Sequence, residues 1–134
     1  MTNIIYSIKK RPINIWLIII VVCLYGLNNH YLKSITTGDI QYFMICYFND
    51  LICPILLLSY TNILLISIDQ EMKRAQTILL FGFCAGIAWE LISPLIKSST
   101  TTDLMDIFIY TGGSLFYWCM YTLAEKIINK ECDK

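Results

Sequence analysis

Four long apolar runs, separated by short polar connectors, constrain this chain more than any other feature. They cover about residues 13–32, 42–66, 76–96 and 104–124. A helix of roughly 20 apolar residues is enough to cross the hydrocarbon of a bilayer, and each run reaches that length. Composition agrees: 57% of residues are hydrophobic and 15% charged, against roughly 45–50% and 25% in soluble domains. A chain of 134 residues has too little interior to bury such an excess in a water-soluble core. The expected fold is an all-α membrane protein: one domain over residues 1–134, a four-transmembrane-helix bundle with short loops and the lipid bilayer as its first partner. The formal net charge is zero, which gives no basis for nucleic-acid binding.

Lys9, Lys10 and Arg11 before the first run imitate a signal peptide. No small-residue cleavage site follows that run; Asn28, Asn29, His30 and Tyr31 do. The run reads as a retained span. With four crossings, Lys9, Lys10, Arg11, Lys73, Arg74, Lys126, Lys130 and Lys134 share one side, and Lys33 and Lys97 the other. The positive-inside rule then predicts a multi-pass protein of the cell membrane with both termini cytoplasmic.

Acids within apolar spans are costly and carry function by default. Asp50 interrupts the second run and Glu90 the third; Asp103 and Asp106 open the fourth. Asp50 lies eight residues past Tyr42 and Glu90 seven before Lys97. At 1.5 Å per residue both are roughly 10–12 Å below the outer ends of their helices. Asn49, Tyr110 and His30 fall toward the same end, so one polar pocket opening outward is expected. Gly82, Gly86, Glu90, Ser93 and Lys97 form one helical stripe, and Asp103, Asp106, Tyr110, Gly113 and Tyr117 another; the two stripes are expected to face each other. Pro54 and Pro94 each follow an acid by four residues and remove the helical donor to its carbonyl.

Two readings of these acids stay open. They are hydrogen-bonded contacts between helices, or they meet a ligand, proton or ion supplied from outside. Asp103 also fits a helix N-cap. An oxygen set at Asp50, Glu90 and Asp106 suits Mg²⁺ or Ca²⁺. The six cysteines form no Cys-x-x-Cys pair, which argues against zinc.

Glu90, a short polar connector, then Asp103-x-x-Asp106-x-x-x-Tyr110-x-x-Gly113 resembles the VanZ-like family of small bacterial multi-span proteins. That family's pattern is a membrane glutamate, a short loop, two aspartates three apart, usually an asparagine, then a glycine. Glu90, Asp103, Asp106 and Gly113 match. Tyr110 stands in the asparagine position, and Ser98–Thr102 replaces a loop that often carries arginine. The resemblance covers residues 80–120. It implies a cell-envelope protein that binds or acts on an envelope lipid or a glycopeptide-type ligand, with a link to glycopeptide resistance. A small cation- or proton-coupled transporter and a membrane-embedded, carboxylate-dependent enzyme are the alternative expectations.

Overall fold

The computed structural model describes residues 2–96 and 104–132, and every regular element among them is helical. Asp103, Lys97, Lys134 and the connector Ser98–Thr102 lie outside the described residues, as do the side chains of Ser93 and Pro94. Helix α1 (Thr2–Lys10) ends before Pro12, which lacks an N–H and sits at the N-cap of α2 (Ile13–Leu27). A π-helical turn, Asn28–Leu32, and the short α3 (Lys33–Ile35) continue α2. The chain reverses at Thr36 and Thr37, where Gly38 adopts a φ of 65°, in the left-handed region that favours glycine. The Thr-Thr-Gly-Asp sequence predicts a turn there.

Helix α4 (Gly38–Cys46) and α5 (Phe48–Ile66) follow, then α6 (Ala75–Ile96) and α7 (Leu104–Cys132). The second apolar run is thus two helices rather than one. Tyr47, at φ −118°, breaks it, and the Met44 carbonyl accepts a hydrogen bond from Asn28 Nδ2 at 2.9 Å. The connector between α5 and α6 turns through Asp69, whose φ is 59°; aspartate tolerates that region better than most residues.

Ile13–Ile35, Gly38–Ile66 and Ala75–Ile92 are long and apolar enough to cross a membrane. Their outward faces are apolar, with Trp16, Ile20, Val22, Leu57, Leu80 and Phe83 exposed. Helix α7 lies in the middle, packed along α5 on one side and α6 on the other, and α2 packs along α5. Leu17, Val21, Ile52, Ile55, Leu58, Ile78, Tyr117 and Tyr121 form the common core.

The small-residue stripe of α6 does face α7. A Cβ on Gly82 would overlap the Ser114 hydroxyl, and one on Gly86 would stand 3.2 Å from both Ile107 Cα and Tyr110 Cβ. Gly113, however, does not face α6 as its stripe predicts. A Cβ there would overlap the Leu51 carbonyl oxygen and stand 2.6 Å from Pro54 Cγ, so Gly113 belongs to the α5 contact. The reason is that α7 has two neighbours. Ile107, Tyr110 and Ser114 turn to α6, while Gly113 admits the backbone of α5 around Pro54.

Candidate functional site

At the end of the bundle where α4 meets the π-turn, a cavity of about 480 Å³ opens between four helices. Val21, Val22 and Tyr25 of α2 form one wall. Asn49, Asp50, Ile52, Cys53 and Leu56 of α5 form the floor, Trp89 comes from α6 and Tyr110 from α7. Most of this surface is apolar. The polar groups concentrate on one turn of α5, because Asn49, Asp50 and Cys53 are one to four residues apart on a helix.

Asn28 anchors that turn. It is fully buried and donates through Nδ2 to Met44 O and, at 3.0 Å, to Asn49 Oδ1. The π-turn that begins at Asn28 places this amide at the α4–α5 break; such turns recur at functional sites. The Tyr110 ring is only 4% exposed. The Cys53 thiol, Asp50 and Asp106 lie within electrostatic reach of its hydroxyl.

Of the residues that the sequence singles out, Asn49, Asp50 and Tyr110 line the cavity. Glu90 is 7% exposed and within electrostatic reach of Asp50. Asp106 is half-buried beside Tyr110. His30 is exposed on the π-turn and does not line the cavity. Among the described residues no three His, Cys, Asp or Glu side chains gather as a metal-holding group. Sequence reading passed over Asn28, Cys53, Tyr25 and Trp89. A polar residue at an apolar run's edge was the available signal for Asn28; an aromatic or thiol in such a run gives none.

A second polar cluster lies at the opposite end of the bundle. Arg11 Nε donates to Glu71 Oε1 at 2.7 Å, and Arg11 Nη2 to Glu125 Oε1 at 2.8 Å. Lys73 Nζ lies 3.2 Å from Glu71 Oε2 and 3.3 Å from Glu125 Oε1. The Tyr121 hydroxyl donates to Glu71, and the Arg11 guanidinium stands over the Tyr121 ring. Burial pushes the Glu71 carboxyl up, but hydrogen bonds from Tyr121, Arg11 and Lys73 outweigh it and hold the group below its ordinary value. Just inside, Asn62 Nδ2 donates to the Tyr117 hydroxyl at 3.0 Å, and Tyr117 donates to Asn14 Oδ1 at 2.8 Å. Asn62 Oδ1 accepts from the Met72 backbone N–H at 3.0 Å, tying the α5–α6 connector to the core. This cluster binds the start of α2, that connector and the end of α7 together.

No family model, curated protein or solved structure matches the chain.

Proposed function

We propose that this chain is a four-span protein of the cell membrane, with both termini cytoplasmic, that binds an amphiphilic envelope ligand in the α2–α5–α6–α7 cavity. The observation that carries the reading is the placement of Asn49, Asp50 and Tyr110 in a cavity of about 480 Å³ whose remaining walls are apolar. Such a site suits a ligand with an aliphatic part and a hydrogen-bonding head.

Two further features support it. Arg11 precedes the first span, Glu71 joins the second and third, and Glu125 is near the end of α7, yet all three meet at one end of the bundle. If the three apolar helices cross, α7 then returns the chain to its starting side. The uneven distribution of lysine and arginine assigns that side to the cytoplasm. The cavity is accordingly in the outer half. The VanZ-like resemblance supports an envelope setting; its glutamate falls on Glu90, within electrostatic reach of Asp50, and its second aspartate on Asp106, within reach of Tyr110.

Native mass spectrometry of the detergent-purified chain tests the reading. The parent is expected to retain an amphiphile in one-to-one ratio, and Leu56→Trp, which fills the cavity, to lose it while keeping its melting temperature. An equal amphiphile load on both proteins would refute the reading.

A small proton- or cation-coupled transporter is the second reading. It is favoured by Asn14, Ser59, Asn62 and Ser114, all fully buried, which give the other half of the bundle polar side chains as well. Charge movement in proteoliposomes under a pH gradient distinguishes it from a binding protein.

A further inference from the structure

The head group that this cavity selects follows from its lining. Among the described residues the charged residue in the wall is Asp50, an acid. Glu90, 7% exposed, is a second acid within electrostatic reach of it. Three aromatic rings, Tyr25, Trp89 and Tyr110, line the same cavity. Among the described residues, no lysine, arginine or histidine lines the cavity. An anionic head would meet like charge in a medium of low dielectric. A neutral hydroxyl would satisfy Asp50 as a donor but would gain little from the rings. A cation gains from both: the carboxylates attract it, and ring faces stabilise an organic ammonium, most of all when water is excluded. Asn28 supports the wall through Asn49. Its Oδ1 is fully buried with no hydrogen-bond partner among the described residues.

The remaining lining, Val21, Val22, Ile52 and Leu56, offers no polar group and fits an alkyl chain. We infer that the cavity takes an amphiphile with one ammonium head, held between Asp50 and the rings of Tyr25, Trp89 and Tyr110, with its chain along α2 and α5. This rests on the proposal that the cavity is a ligand site, and it specifies the ligand's charge. The same chemistry is offered by an aminophospholipid of the bilayer and by a free alkylammonium.

The test compares three twelve-carbon probes, dodecyltrimethylammonium, dodecanol and dodecanoate, with the full chain in phosphatidylglycerol nanodiscs. A variant in which Trp89 is the remaining tryptophan (Trp16→Phe, Trp118→Phe) reports occupancy by its fluorescence. Dodecyltrimethylammonium is expected to bind at least about tenfold more tightly than dodecanol, a difference of about 1.4 kcal/mol. Asp50→Asn in the same nanodiscs is expected to reduce that preference to less than about twofold. Should Asp50→Asn not fold, Tyr25→Leu, at a ring 54% exposed, is expected to reduce the preference without disturbing the core. A preference for the ammonium probe that Asp50→Asn and Tyr25→Leu leave unchanged would come from the anionic lipid and would overturn the inference. Equal binding of dodecanol and the ammonium probe would also overturn it, and would leave the cavity standing as an amphiphile site. If none of the three probes alters Trp89 fluorescence, the ligand-site proposal itself falls. Supporting outcomes separate the two sources: phosphatidylethanolamine added to the nanodiscs competes with the probe if the aminophospholipid is the occupant, and does not if a free alkylammonium is.

Discussion

Tyr117 and Asn14, 103 residues apart in the sequence, meet through a 2.8 Å hydrogen bond at the fully buried centre of the bundle. The same hydroxyl accepts from Asn62, so one phenol joins α2, α5 and α7. Tyr117→Phe removes the hydroxyl and leaves a buried amide at Asn14 without its acceptor bond. The expected loss is about 1–3 kcal/mol, the desolvation cost of an unsatisfied polar group. Asn14→Leu combined with Tyr117→Phe is expected to recover the part due to Asn14, since that pair is then apolar, while Asn62 Nδ2 keeps the Met72 carbonyl as an acceptor. Thermal melting of the three proteins in detergent checks this; a double variant less stable than Tyr117→Phe alone would contradict it.

Glu71 gives the bundle a pH dependence with a definite sign. Its carboxyl is held below its ordinary value of 4.5, so the ionised form is favoured by folding. The stability it contributes is fully present above pH 4.5 and is lost as pH falls through the lower folded value. The melting temperature of the parent is expected to fall with acidification below that point, and Glu71→Gln to be less stable near neutrality with a flatter acid limb. Because Glu125 still holds Arg11, the cost at neutral pH should be about 1–3 kcal/mol rather than that of a fully stranded charge. Parallel acid limbs for the two proteins would remove Glu71 from this role.

The apolar runs made the helices legible, because lipid imposes a length and a composition that any sequence must show. What they could not show is where tertiary contacts interrupt them. At the break near Tyr47, Asn28 reaches the Met44 carbonyl from another helix. Asp50 and Glu90, which the depth count puts at one level, are within electrostatic reach of each other. That count gave no means of seeing that Tyr25 and Trp89 complete the cavity, since aromatic residues in an apolar run look like lipid-facing ones. The opposite cluster escaped for a related reason. Arg11 pairs with partners 60 and 114 residues away, and each of its members sits in a connector or at a helix end where charge is ordinary.

Topology is testable at the C-terminus. A reporter fused after Lys134 is expected to be active only in its cytoplasmic form. An odd number of crossings would put it outside, so this one fusion examines both the fourth span and the charge rule. Activity of a periplasmic reporter at that position would turn the cavity toward the cytoplasm.

Glycine positions give the sharpest check on how the helices pack, because each expected effect follows from a different neighbour. Gly82→Ala places a methyl on the Ser114 hydroxyl and 2.6 Å from its Cβ, with nothing else closer than the Tyr110 carbonyl oxygen at 3.4 Å. Overpacking of this kind costs about 1–3 kcal/mol. The obstacle is a side chain, so it can be removed. In a Ser114→Gly background, Gly82→Ala should cost nothing further. Gly113→Ala meets the backbone of Leu51 and the ring of Pro54 instead, which no single truncation relieves without altering α5 itself. It should be destabilising in every background tested, including Ser114→Gly. Gly112, one residue away, has nothing within 4 Å of its Cβ position. Gly112→Ala should therefore be neutral or stabilising, by up to about 0.5–1 kcal/mol from helix propensity. Melting temperatures of this set discriminate between arrangements of α7. If Gly113 faced α6 as its sequence stripe suggests, Ser114→Gly would ease Gly113→Ala by opening the shared interface. If it faces α5, as observed, Ser114→Gly rescues Gly82→Ala alone.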